Sequence, residues 1–307
     1  MAARRGDRGR LLLPILVAIV FVAGAATMLY PSTAMWFHQQ RESEQIARYS
    51  GEVLQLPREG VDDLLASARA YNAELVDGRA TVGANQNVPS AVGDPSAVAD
   101  YRDQLADSPS GVMARLKIPT INADLPIYHG TSDATLLRGV GHLEGTALPI
   151  GGTSMHSVLT AHRGLADAEL FTRLDEVEVG DTFVIEVLDE VLTYQVISTR
   201  VVDPEDTESL YPVAGEDLVT LVTCTPLGIN TQRILVTGER ITPTPIGDIE
   251  AAGQRPQVPG FPWWAVIFAG VVVLAAAFVW FMRTPRRARD DAQTDSAAAE
   301  ALEVSEP

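Results

Sequence analysis

Two apolar runs, Leu11 to Tyr30 and Trp263 to Met282, bracket the chain and restrict what can be built between them. Each holds about 20 residues without a charge, and a helix of that length rises about 30 Å, the thickness of a bilayer's hydrocarbon core. Arg4, Arg5, Arg8 and Arg10 precede the first run. The second has Trp263 and Trp264 at its entrance and Trp280 near its exit, and Arg283, Arg286, Arg287 and Arg289 follow it. Interfacial aromatics and cytoplasmic arginines are placed this way around membrane helices. The expected layout is a cell-membrane protein with two transmembrane helices (11–30 and 263–282), both termini cytoplasmic and residues 31–260 extracellular. Ala23-Gly24-Ala25-Ala26 could mimic a signal-peptide cleavage site, but the apolar run is longer than a signal peptide needs, which favours an uncleaved anchor.

With 307 residues and 46% hydrophobic content, the chain minus its two spans leaves one soluble domain of ordinary size. A formal net charge of −17 argues against a nucleic-acid partner, which requires basic patches. After the basic N-terminus (1–10) and first span, residues 31–80 form a helical region broken near Pro57. In it Val61, Leu64, Leu65, Ala68, Tyr71 and Leu75 recur at steps of three and four, with Gly78 as the stop. That stripe needs a partner, most simply the domain that follows. Residues 81–110 turn to Gly, Asn, Pro, Ser and Asp with no sustained period, a long loop of the kind that serves as linker or cover.

From 111 to 242 the chain is a series of short β-type runs: Val112 to Ile118, Ala123 to Tyr128, Ser157 to Thr160, Thr182 to Val187, Val191 to Val202, Leu218 to Cys224 and Arg233 to Arg240. Many short strands with frequent turns fold as a closed barrel or a sandwich. Asp189-Glu190 is the expected hairpin tip, and Leu170, Phe171 and Leu174 fall in a short helical stretch. Residues 243–262 read as a linker, and the polar tail 283–307 as cytoplasmic and disordered.

Chemistry concentrates at Leu218–Pro226 and Arg233–Gly238, two strands joined by the turn-like Pro226-Leu227-Gly228-Ile229-Asn230. Cys224 ends one strand and Arg233 begins the next, so their side chains can meet. Cys224 is the single cysteine of the chain, which excludes an internal disulfide and a cysteine-based zinc site. A lone cysteine in an apolar run is most often a small buried hydrophobe. A nucleophilic thiolate, by contrast, needs a cationic neighbourhood and a proton donor for the leaving group. Arg233 can supply the first and His162, in Thr160-Ala161-His162-Arg163-Gly164, the second.

Thr220-Leu221-Val222-Thr223-Cys224 with Arg233, together with His162-Arg163-Gly164, resembles the active-site signature of the sortases, transpeptidases of Gram-positive bacterial surfaces. Tyr128-His129-Gly130-Thr131, Gly139-Val140-Gly141-His142-Leu143-Glu144-Gly145-Thr146, Leu148-Pro149-Ile150-Gly151-Gly152 and Leu170-Phe171-Thr172-Arg173-Leu174 resemble the class C, pilus-assembling members. The resemblance covers 111–241 closely, and the two spans and N-terminal helices suit it. It implies a mainly β fold, an eight-stranded sortase β-barrel with N-terminal helices and two flanking transmembrane helices. It also implies Cys224 as nucleophile, His162 as general acid/base, Arg233 as the group that orients substrate and stabilises an oxyanion, and no metal or organic cofactor. Partners would be pilin or surface proteins carrying a C-terminal sorting signal of the Leu-Pro-x-Thr-Gly type. The amine acceptor would be a pilin lysine or a cell-wall precursor.

Asp94-Pro95 resembles the start of the class C lid over the groove, although Ser96 stands where that pattern has an aromatic residue. Asp94, Pro95 and Thr223 are therefore the expected groove and lid residues. His38 is expected to be inert, and His129, His142 and His156 structural or groove-lining. His156 is the alternative acid, and Arg163 and Arg173 are alternative cations. The competing functions are a housekeeping-type sortase that attaches surface proteins to cell-wall precursor, a hydrolase using the same thioacyl intermediate, and a membrane-anchored binding domain without turnover.

Overall fold

Eight of the strands close on themselves into a barrel, and the pairing that closes it is what brings Cys224 and Arg233 together. The computed structural model describes residues 5–75, 82–84, 89–91, 101–106, 108–256 and 259–283. Its long helices are α1 (Arg5–Val53), α2 (Arg58–Glu74) and α3 (Trp263–Arg283). A small hairpin, β1 (Val82–Ala84) with β2 (Pro89–Ala91), precedes the barrel. The barrel strands are β3 (Val112–Ile118), β4 (Ala123–His129), β5 (Val140–His142), β6 (Met155–Thr160), β7 (Thr182–Val187), β8 (Glu190–Val202), β9 (Asp217–Thr225) and β10 (Gln232–Arg240). Their order round the barrel is β10-β8-β7-β3-β4-β5-β6-β9, antiparallel except for β4 with β5 and β6 with β9.

Two compact units make up the chain, 34–261 and the terminal segments 1–33 with 262–307. In the terminal unit, the α1 part and α3 are long and apolar enough to cross a membrane, and their large side chains, Phe21 and Trp280 among them, are exposed. The tail beyond Arg283 and the expected stop at Gly78 lie outside the described residues.

In the other unit, closure of the barrel pairs both edges of its sheet. The interior is filled by Leu116, Ile127, Leu159, Ile185, Leu221 and Val236, alternate residues of their strands. Each such side chain, fully buried, contributes about 1.5–3 kcal/mol. Phe183 and Tyr194 stack at 5.5 Å between ring centres. Gly238 makes that possible: a Cβ there would lie 2.6 Å from a Phe183 ring carbon, and the β10–β8 register slips at this residue in a bulge.

The helical stripe packs on the barrel as its spacing requires. Val61, Leu65 and Ala68 of α2 join the barrel core, and Asn72, a helical turn further on, exchanges two hydrogen bonds with the backbone of Leu148. On α1, the Tyr49 hydroxyl donates to Met113 O (3.1 Å) and accepts the Leu188 N–H (2.8 Å). His38, expected to be inert, is buried one turn before Glu42. Burial, with the carboxylates of Asp124 and Glu169 nearby, pushes Glu42 up to about 8.

Three expectations need correction. Val140–His142 is a strand that hydrophobic pattern did not reveal. The hairpin tip falls on Leu188-Asp189, because Leu188 takes a left-handed φ of +52° while Tyr49 holds its N–H. Residues 243–256, expected as linker, are docked on the barrel. The fully buried Arg115 pairs with Asp124 and Glu186 and donates to Gln254 O at 2.9 Å, while Thr193 Oγ1 donates to Asp248 at 2.7 Å. A buried guanidinium needs that many acceptors to be tolerated.

Candidate active site

Arg233 and Cys224 sit directly opposite each other in the antiparallel β10–β9 pair. Opposed residues of such a pair carry their side chains on one face, with Cβ atoms about 5 Å apart. On the other side of β9 runs β6, parallel, with Thr160 opposite Val222. The pairing continues past the end of β6. The Ala161 N–H donates to Val222 O (3.2 Å), and Thr223 Oγ1 donates to Ala161 O (2.8 Å). His162 is the next residue along this segment, as Cys224 is the next along β9 after Thr223. Three neighbouring backbone segments, about 4.8 Å apart where they pair, thus bring His162, Cys224 and Arg233 to one end of the barrel.

Cys224 and His162 are both partly exposed, so reagents in solution can reach them, whereas Arg233 is buried. Arg233 Nη1 donates to Asn230 O (3.0 Å) and Gln232 O (2.9 Å), which fixes the guanidinium against the turn that follows Cys224. That turn also leans on the His162 loop: the tip of the Leu227 side chain lies over Gly164, whose left-handed φ of +75° favours glycine. The backbone of His162 is held by the Phe171 N–H donating to its carbonyl at 3.1 Å.

Thr223, expected along the groove, is 1% exposed and braces the His162 segment from beneath instead. Asp94, Pro95 and Ser96 lie outside the described residues.

The remaining histidines of the barrel make hydrogen bonds to backbone carbonyls. Burial lowers the basicity of His129, His142 and His156 alike. His156, the alternative acid, pairs with Leu218 at the far end of β9 from Cys224. Its Nδ1–H donates to Tyr211 O (3.0 Å) and its Nε2 lies 2.7 Å from Thr220 Oγ1, and burial favours the neutral form of this structural ring. His142 Nε2 donates to Ala147 O (2.8 Å) and Nδ1 accepts from the Tyr101 hydroxyl (2.9 Å), which in turn accepts the Gly130 N–H. Arg173, an alternative cation, pairs on the surface with Glu176.

Burial lowers His142 to about 4. Its unfolded value is near 6.5, so the unfolded chain binds the extra proton first as pH falls. The contribution of the neutral ring is complete above about pH 6.5 and is lost as pH falls from there to about 4; at about 1.4 kcal/mol per pH unit it is on the order of 3 kcal/mol. His142→Gln is therefore expected to flatten the fall in thermal midpoint between neutral pH and about pH 4.5. Parallel melting curves for wild type and variant, separated by a constant offset, would contradict this.

A closed barrel with a thiol, an imidazole and a guanidinium at one end defines a β-barrel protein with a thiol-centred site. The chain belongs to the sortase family. Residues 116–241 match the family's sortase domain. Sortase D of Bacillus subtilis is 33% identical over 130 residues, which are 41% of this chain and 63% of that protein. Among sequence relatives the matched stretches reach from 42 to 63% of the relative's length, so the chain spans less than two-thirds of them. The crystal structure of sortase C1 from Streptococcus agalactiae is 41% identical, covers 64% of this chain and 97% of its own, and superposes with a TM-score of 0.58. Sortase C-1 from Actinomyces oris is 45% identical over 60% of this chain and 98% of its own, with a TM-score of 0.53. These structural neighbours are class C sortases.

Proposed function

We propose that this chain is a cysteine transpeptidase that cleaves a Leu-Pro-x-Thr-Gly-like sorting signal between Thr and Gly and transfers the acyl group to a pilin lysine. The observation that carries the reading is the register pairing Cys224 with Arg233, with His162 just past the end of the strand that pairs with β9 on its other side. The Cys224 thiolate attacks the threonine carbonyl carbon. Arg233, held by its turn, orients the substrate and faces the oxyanion with a planar fork of donors that stays charged at working pH. His162 gives its proton to the departing glycine amine, leaving a thioacyl-enzyme. The lysine ε-amine then loses a proton to His162 and attacks the thioacyl carbon. An isopeptide bond forms and the thiolate leaves. Arg233→Ala is expected to lower kcat by about 100- to 1,000-fold, read from steady-state peptide cleavage; a loss confined to KM would remove its transition-state role.

Likeness to the two C1 sortases favours a lysine acceptor over a cell-wall amine. With α1 and α3 as anchors, the arginines at their outer ends favour cytoplasmic termini and an extracellular barrel, where surface proteins and acceptors meet.

The test incubates the detergent-solubilised full chain with a sorting-signal peptide and, in competition, a lysine-bearing peptide and a peptidoglycan-derived amine. The expected product is the isopeptide-linked lysine conjugate. Conjugation to the peptidoglycan amine alone would support the housekeeping reading, release of free acid alone a hydrolase, and an unchanged peptide a binding domain.

A further inference from the structure

Arg163 follows His162 in the chain and is almost buried, its side chain 8% exposed. Its guanidinium reaches three separate acceptors. Nε donates to Thr172 O at 3.1 Å, Nη1 to Thr225 Oγ1 at 3.0 Å, and Nη2 pairs with Asp175 at 2.6 Å. Thr225 in turn follows Cys224. The same side chain therefore joins the residue after the histidine to the residue after the cysteine, across two segments 62 residues apart. Cys224 and Thr225 are consecutive in β9, so their side chains point to opposite faces. The link from Arg163 to Thr225 is thus made on the face away from the thiol.

The backbone of the His162 loop has its own ties. Beyond β6 it is held by Ala161 on β9 and by the bond from Phe171, and the Gly164 N–H donates to Thr172 Oγ1 at 3.0 Å. Arg163 gathers these threads: it binds the Thr172 carbonyl while the Thr172 hydroxyl holds Gly164, and Asp175 anchors its outer end. A planar fork of donors fits three acceptors in different directions; an ammonium group would not.

We propose that Arg163 is a positioning residue that acts through Thr225 to fix the distance between the His162 imidazole and the Cys224 thiol. This rests on the reading of Cys224 as nucleophile and His162 as its proton partner. Arg163, an alternative for the catalytic cation, thereby takes a different role: it touches no reacting atom and sets the geometry of two residues that do. Misplacement of reacting groups by about 1 Å can cost about 100-fold in rate.

The experiment uses the detergent-solubilised full chain and compares Arg163→Gln, Thr225→Val, Thr225→Ser and the double variant Arg163→Gln/Thr225→Val. Three quantities are read: thermal midpoint, kcat and KM for sorting-signal cleavage, and the pH dependence of Cys224 alkylation by iodoacetamide. Thr225→Val keeps shape and removes only the hydroxyl, so it is expected to fold even if Arg163→Gln does not. The expected result is a kcat about 10- to 100-fold lower in Thr225→Val with KM and thermal midpoint unchanged. The alkylation profile moves in the same variant, Thr225→Ser restores both, and the double variant is no worse than Arg163→Gln alone because one link has been cut twice. Wild-type kcat and an unmoved alkylation profile in Thr225→Val would overturn the proposal, as would fully additive losses in the double variant. Alkylation needs no substrate, so it reports on the link even if no sorting peptide is cleaved; a failure of the transpeptidase reading would show instead as turnover surviving in Cys224→Ala.

Discussion

Cys224→Ala is expected to abolish turnover of a sorting-signal peptide, a loss of about 10,000-fold or more. The chain has no other thiol, so nothing can substitute for this sulfur in a covalent intermediate. The variant is also expected to fold. Cys224 is partly exposed near the end of β9, and the core beneath it is made by Leu221, Val222 and the braced Thr223. Removal of one sulfur there opens no closed cavity, so the melting curve should overlay that of wild type. Full loss of cleavage with an intact thermal transition would separate chemistry from stability. Residual cleavage within about tenfold of wild type would mean that the bond is broken without the thiol.

The second large effect belongs to His162. His162→Gln keeps a polar side chain of similar reach and removes the imidazole, and a general acid/base usually contributes about 100- to 10,000-fold. A loss of that size in kcat is expected. Both half-reactions need the proton: leaving-group protonation in the first and amine deprotonation in the second. The defect should therefore appear in cleavage and transfer alike. His156→Gln is the control. His156 lies at the opposite end of β9, locked between Tyr211 O and Thr220, so its loss should lower thermal stability and leave kcat within a few-fold of wild type. A kcat that collapsed in His156→Gln and survived in His162→Gln would reverse the assignment.

Much of the architecture is legible in the sequence because strand alternation and strand breaks are local properties. Each of the seven β-type runs is a barrel strand, and the α2 stripe of Val61, Leu65 and Ala68 is the face that reaches the core. The eighth strand is not legible, for a physical reason. Val140–His142 is three residues long and centred on Gly141, where a Cβ would lie 2.4 Å from Gly130 O. Close backbone approach rather than a side-chain pattern makes it a strand, and approach distances are not written in hydrophobicity. Leu188 carries no turn signal of its own, and Tyr49, 139 residues earlier, supplies the bond that holds the tip. Arg115 behaves likewise: an arginine in an apolar run gives no hint that Asp124, Glu186 and the carbonyl of Gln254 will surround it.

At the site, the proximity of Cys224 and Arg233 follows from one short hairpin turn and is a property of sequence. That His162 reaches the same end of the barrel follows from the parallel β6–β9 pairing, which links Thr160 to Val222 and needs either the fold or the family resemblance. Thr223 shows the limit of alternation, which fixes which residues share a face but not which face is covered; here its hydroxyl is enclosed by Ala161. The partners of Arg163 are Thr172, Asp175 and Thr225, and no spacing rule links them.

The most direct test of the account is the intact mass of the detergent-solubilised full chain after brief incubation with a Leu-Pro-x-Thr-Gly-type peptide and no added amine. Thioacyl transfer predicts a mass increase equal to the peptide through its threonine, absent in Cys224→Ala and discharged when a lysine-bearing peptide is added. An unmodified mass across several candidate sorting motifs, with the peptide intact, would contradict it.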